Sequence, residues 1–283
     1  MKIGLETLTP YQVASLRMIS AGLVMLPFAI SALKKIPNNK VGLIFVSGLI
    51  GNFFPAFLFC IAEIKVDASL AGILNALTPL FTIIVGVMFF NTQVSTNRYI
   101  GVIVGFIGLA LLFISRGNIT LSYLSFACLI ILATILYGIN VNIVGRSFKT
   151  LGSLNIVSLA FSMLIPLSLF ILWITGYFQH PLTAQSIMRS TGASGVLGIF
   201  GTALASILFY VLVKRAGGLF ASTVTYGIPF VAVFIGIASG ETITLPQIIC
   251  LGIILAGVYL ANKVDKKSLA PQPERMAESI RST

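Results

Sequence analysis

The chain has 283 residues, of which 57% are hydrophobic and 9% charged, with a mean hydropathy of +1.04. That leaves too little polar surface to cover a soluble core, which excludes an ordinary globular domain in water. The formal net charge of +11 lies in loops and tail rather than on an amphipathic face. It reads as a topology signal, with no nucleic-acid partner implied.

Apolar stretches follow one another along the chain, at roughly 10–32, 41–62, 67–90, 98–115, 120–145, 153–176, 190–213, 218–240 and 244–262. At about 1.5 Å per residue each suits a helix crossing hydrocarbon. The ten-residue alternation of a membrane β-barrel is not seen. The expected fold class is therefore all-α and polytopic, with nine complete spans and the lipid bilayer as partner. Cys60, Cys128 and Cys250 all lie inside apolar runs, so neither disulfides nor a metal site are expected. The start carries no cleavable signal pattern. Residues 263–283 are polar, include Pro271 and Pro273, and read as a disordered tail.

Basic residues set the orientation. With the loop 33–40 placed in the cytoplasm, the inside loops carry Lys34, Lys35, Lys40, Arg98, Arg146, Lys149, Lys214 and Arg215. The outside set is Lys2, Lys65, Arg116 and Arg189. This bias predicts a cytoplasmic C-terminus in a bacterial inner (plasma) membrane.

The third span, DASLAGILNALTPLFTIIVGVMFF from Asp67 to Phe90, carries Pro79 near its middle. Proline has no N–H to offer the carbonyl four residues earlier, so the spacing predicts a freed Asn75 carbonyl, which in a membrane must face protein, water or a ligand. The pattern returns 150 positions later, where Pro229 frees Thr225 and Gly236 follows seven residues on, as Gly86 follows Pro79. The same offset sets Ala71 on Ala221, Asn52 on Thr202 and Phe59 on Phe209. Paired interrupted spans point to a transporter's binding site.

The repeats divide the chain at 1–115 and 116–262, with 263–283 as the tail. The second half holds five spans and the first only four, and the stretch Leu121 to Gly145 has no counterpart. The expectation is a ten-helix plan whose first helix is missing here, the alternative being a natural nine-helix protein. Five helices per half is an odd number, so the halves insert with opposite orientation as inverted repeats.

The segments ASLAGILNALTPLF at 68–81 and SILFYVLVKRAGGLFASTVTYGIPFVAVFIGIASGE at 206–241 resemble the EamA-like branch of the drug/metabolite transporter superfamily. In that family each half ends with a proline-centred helix, a short turn often bearing Glu, and a Gly-spaced final helix. Glu241 matches that Glu, whereas the first half has Asn91. The family's Trp-Gly pair belongs to the missing helix; Tyr137-Gly138 stands at the equivalent place of the second half. The resemblance implies movement of small organic solutes, often amino acids or other metabolites.

Asn75 and Thr225 stand one turn before the prolines, and Thr78 and Tyr226 share those turns. All four are candidates for solute contact, or else for satisfying the kinked backbone. Asn52, Tyr210, Asn140 and Tyr137 come from neighbouring spans and serve either as ligands or as interhelical glue. Arg17, about 10 Å below the outer end of its span, either holds an anionic group or anchors the helix by pairing with Glu6. Pro79 and Pro229 are the candidate hinges. Gly101, Gly105 and Gly108 form a small-residue packing face.

No acid lies deep in a span, and His180 is in an outer loop, which favours facilitated diffusion or exchange over proton antiport. The function expected is a secondary transporter of a small polar organic solute, an amino acid or related metabolite, working by alternating access without a cofactor. It is not expected to be an enzyme, since nothing supplies a clustered base or metal. The alternative is a non-transporting scaffold or inactive truncated remnant, with a homodimer covering the face left by the missing helix.

Overall fold

The computed structural model describes residues 1–92, 96–115, 121–181, 183–217, 221, 227–238, 240 and 243–262. Within its helices, the side chains of Arg98, Phe113, Ser115, Leu121, Ser122, Pro229 and Asn262 fall outside that set. The expectations for Thr225, Tyr226, Glu241, the Pro229 ring and the tail therefore lie outside the described residues.

The protein is an all-α polytopic membrane protein. A short N-terminal turn, α1 (Lys2–Leu5), leads into α2 (Pro10–Leu33). Then come α3 (Asn38–Ala62), α4 (Ala68–Phe90), α5 (Thr96–Ser115), α6 (Leu121–Ser147) and α7 (Ser153–Ile174). The series closes with α8 (Gln185–Ala216), α9 (Gly227–Ala238) and α10 (Leu245–Asn262). Among the described residues six helices are long and apolar enough to cross a membrane, and shorter apolar stretches lie in α5 and α10.

Local chemistry explains where the helices start and bend. Thr9 and Gln12 form a reciprocal capping box ahead of α2, with Pro10 at the first helical position, where its missing N–H costs nothing. The Gln12 amide also donates to the Thr175 carbonyl at the end of α7 (2.9 Å), so its burial is satisfied. In α4 the regular helix stops at Asn75 and restarts at Thr78, as Pro79 requires. The freed Asn75 carbonyl is not left to solute or water. The Thr78 hydroxyl donates to it at 2.8 Å.

The repeats meet counterpart to counterpart: α2 packs on α7, the first half of α4 on α9, and α5 on α10. Small residues allow these approaches. A Cβ at Gly101 would strike the Gly257 and Ala261 backbone, and one at Gly257 the Gly101 and Gly105 backbone, while Gly108 faces Ile254. Ascending positions on α5 thus meet descending positions on α10, an antiparallel seam across the Gly101, Gly105 and Gly108 face.

Two packing cores result. One gathers buried side chains of α2, α3, α7, α8 and the end of α6, among them Met18, Ile44, Phe148 and Phe161. The other joins α4, α5, α6 and α10 around Leu74, Leu80, Leu112 and Ile254. Helix α6 covers α3 and α4. The corresponding faces of α8 and α9, carrying Phe200, Leu208, Phe230 and Phe234, are exposed.

A further feature repeats with the 150-residue offset. In α3 residues Leu49–Phe53 form a π-helical turn, and in α8 residues Ile199–Leu204 do the same. A π turn inserts a residue into the helical ladder and re-aims its side chains, which is why such turns mark functional sites. Asn52 sits in the first and Thr202 in the second.

Candidate functional site

A cavity of about 1410 Å³ lies between the repeats, with walls from α1, α2, α3, α4, α6, α8 and α9. Arg17, Asn52, Asn75, Thr78, Tyr137, Asn140 and Tyr210 all line it. These residues come from five helices; all are polar residues within apolar spans, and Asn75 and Thr78 also belong to the Pro79 turn. Most of the remaining wall is apolar, including Phe59, Val141, Leu208, Val231 and Ile235. An apolar cavity with a few convergent polar groups is the usual form of a small-molecule site.

The polar groups sit at two levels. Near the ends of α6 and α8 that carry Ser147 and Ala216, Ser47, Asn140 and Tyr210 form a buried set. The Ser47 hydroxyl donates to Asn140 Oδ1 (2.5 Å), and Asn140 Nδ2 donates to the Tyr210 hydroxyl (3.0 Å). Gly51 makes this possible, because a Cβ there would overlap the Asn140 amide. Beyond this set Val144, Phe148 and Val213 are packed and buried, so the cavity has a floor. One turn away, the Ser206 hydroxyl donates to Asn52 Oδ1 (3.1 Å), linking the two π-containing helices.

The second level belongs to Arg17. Its Nε donates to Thr202 Oγ1 (2.5 Å), and the Thr202 hydroxyl in turn lies 3.3 Å from the Leu197 carbonyl, to which it donates. Pairing with Glu6 does not occur: that carboxylate faces Arg189 at 3.9 Å. A cation at membrane depth costs about 2.5–3.5 kcal/mol on insertion scales, and a single neutral hydroxyl offsets only part of this.

Asn75 and Thr78 are joined to each other as well as to the kinked backbone. The Thr78 hydroxyl lies 3.2 Å from Asn75 Oδ1. Asn75 itself is buried and lines the cavity. Tyr137 stacks loosely on Phe59, with ring centroids 6.3 Å apart. Its neighbour Gly138 lets α6 close on the α4 backbone at Phe81 and Thr82. There Asn142 donates to the Thr82 carbonyl at 2.9 Å.

Sequence reasoning missed Thr202, Ser47, Ser206 and Asn142 as participants. Thr202 was legible as the partner of Asn52 at the repeat offset. Ser47 and Ser206 carry no comparable signal, because serine is common and unremarked in apolar helices.

Among the described residues no group of three or more His, Cys, Asp or Glu residues is placed to hold a metal. What the arrangement offers is reversible hydrogen bonding and the positive charge of Arg17 in a largely apolar chamber between two halves. The fold and site define the class: a polytopic helical membrane protein with a solute-sized chamber at the seam of two repeats.

The EamA-like transporter family model matches residues 1–114 and 124–263, and the chain belongs to that family. It is similar to the uncharacterized transporter YdfC of Bacillus subtilis (strain 168), at 25% identity over 94% of this chain and 87% of that protein. It is also similar to the uncharacterized inner membrane transporter YedA of Escherichia coli (strain K12), at 25% identity over 92% and 83% of the respective chains. A solved crystal structure shares the fold with a TM-score of 0.65 at 16% identity, covering 95% of this chain and 92% of that one. The protein is thus an integral membrane protein of transporter type.

Proposed function

We propose that the chain is a secondary transporter moving a small polar organic solute, an amino acid or related metabolite, by alternating access between its two repeats. The observation that carries this reading is the chamber itself. It lies between the halves, is lined by polar groups from both, and is floored at one end by the Ser47–Asn140–Tyr210 set. A chamber with one closed end is one of the two states that alternating access requires. Passage to the other state needs that floor to part, and each of its hydrogen bonds is worth roughly 0.6 kcal/mol in a bilayer. A barrier built from such small increments is reversible on a transport timescale.

The hinges in this reading are the Ala76–Leu77 interruption before Pro79 and the turn at Pro229. The first is a break in regular helix between two well-packed segments. The excess of basic residues in alternate loops supports an inner-membrane protein with its C-terminus in the cytoplasm. The exposed α8 and α9 faces are what a scaffold would use for docking. A scaffold, however, has no need of a chamber lined by both halves, and the transporter reading is preferred for that reason.

The test is counterflow in proteoliposomes loaded in turn with unlabelled amino acids, organic acids and related metabolites, with the matching labelled solute outside. Saturable accumulation of at least one solute class, lost in Asn75→Ala while the variant keeps its elution profile, is expected. No counterflow across the panel by well-folded protein overturns transport.

A further inference from the structure

We propose that Arg17 and Thr202 form a carboxylate subsite, and that the solute is an organic anion with an apolar body rather than a zwitterion. This rests on the transporter reading and narrows it. Arg17 lines the chamber and is half-buried. Among the described residues its hydrogen-bond partner is Thr202 alone. A guanidinium has five N–H donors in a rigid fork. Nε is committed to Thr202, so the two terminal nitrogens keep their donors for a planar, bidentate acceptor, for which carboxylate is the matching group.

Thr202 orients the fork. Its hydroxyl proton is directed at the Leu197 carbonyl five residues earlier, the acceptor that the π turn brings into reach. The oxygen lone pair is thereby presented to Arg17. The π turn in α8 thus fixes the direction of the cation across the chamber.

The rest of the wall sets the solute's charge and body. The other charged side chains lining the chamber are Lys2 and Glu63, the first in α1 and the second just past the end of α3. No described acid lies within a spanning helix, where Asn75 and Thr78 stand, to receive an ammonium group. The lining also includes Phe59, Tyr137, Leu208, Val231 and Ile235, which suit an apolar body. A chamber of about 1410 Å³ is also far too large to select an inorganic anion.

The test uses the purified full chain in detergent, with labelled 3-phenylpropanoate as probe and 3-phenylpropanamide and phenylalanine as competitors. The amide keeps the shape and removes the charge. Phenylalanine keeps the carboxylate and adds an ammonium. Saturable binding of the acid is expected, with both competitors weaker than unlabelled acid by about tenfold or more. Arg17→Gln should abolish that preference and Arg17→Lys should retain the preference for charge. Thr202→Val should weaken acid binding several-fold with little change for the amide.

Equal competition by acid and amide overturns the proposal, as does an Arg17→Gln protein that still prefers the acid. Should Arg17→Gln fail to fold, the wild-type comparison and the Lys and Thr202 variants decide. No acid binding by a protein that exchanges amino acids in vesicles overturns the anion subsite and leaves transport standing. Failure of every solute to exchange overturns the transport reading instead.

Discussion

Gly138→Ala is the sharpest test of how α6 is seated. A Cβ at this position would lie 2.9 Å from Phe81 C and from Thr82 N, both backbone atoms that cannot rotate aside. Ordinary carbon contacts lie at about 3.5–4.0 Å, so α6 must withdraw by roughly 0.6–1 Å. That withdrawal stretches the Asn142–Thr82 bond, now 2.9 Å, beyond hydrogen-bonding range. Overpacking costs about 1–3 kcal/mol and the bond about 0.6 kcal/mol, while Ala gains up to about 1 kcal/mol over Gly in helix propensity.

The net destabilisation is roughly 1–3 kcal/mol. Gly145→Ala is the matched control on the same helix, since its Cβ would meet only Val213 Cγ1 at 3.8 Å. It should be neutral or mildly stabilising. Equilibrium unfolding in mixed micelles titrated with sodium dodecyl sulfate, followed by far-UV circular dichroism, compares the two. A Gly138→Ala protein as stable as Gly145→Ala would refute the close seating of α6 on α4.

Three other perturbations probe separate parts of the structure. Thr78→Val removes the donor to the Asn75 carbonyl (2.8 Å) and should cost about 0.6–1.7 kcal/mol in the same titration, with Thr78→Ser restoring it; equal stability of the Val protein would mean another group satisfies the kink. Tyr210→Phe removes the acceptor of Asn140 Nδ2 and should destabilise by about 1 kcal/mol. If the floor is a gate, this change also raises the counterflow rate, whereas an unchanged rate separates stability from gating. Gly257→Val drives a branched side chain into the Gly101 and Gly105 backbone and should lower the yield of monodisperse protein far more than Gly252→Val, whose Cβ would meet nothing within 4 Å.

How much of this was legible in the sequence follows from what a bilayer does to sequence signals. Every backbone polar group in hydrocarbon must be satisfied within the protein, so apolar length alone locates helices. The spans read at 10–32 and 153–176 lie within two residues of Pro10–Leu33 and Ser153–Ile174. Span 190–213 falls short of Gln185–Ala216, because Gln185, Ser186 and Arg189 at its start are helical but polar. Pro79 was legible for the same reason, since it breaks the one bonding pattern that hydrocarbon enforces.

Which face of a helix turns inward is a different matter. In water the buried face is the apolar one, but here lipid and protein interior are both apolar, and the contrast that marks a face is lost. Leu23 and Ile30 face outward while Met18 and Met25 of the same helix are buried, and hydrophobicity does not distinguish them. Only polar and very small residues carry an inward signal. That is why Asn75, Asn140, Tyr210 and the Gly101–Gly108 face were found, and why Ile130 and Leu164 in the cores were not.

The π turns and the Arg17–Thr202 bond were illegible for a further reason. Each depends on the angle at which helices distant in sequence cross, and Arg17 and Thr202 are 185 residues apart. Only the internal repeat offered a way across that distance. It set Asn52 beside Thr202 at one offset, and the two residues occupy matching π turns. Yet Asn52 meets a serine and Thr202 an arginine. The repeats therefore share a backbone device and differ in the charge they present, which places the electrostatic character of the chamber in the first repeat's α2 rather than in the symmetry itself.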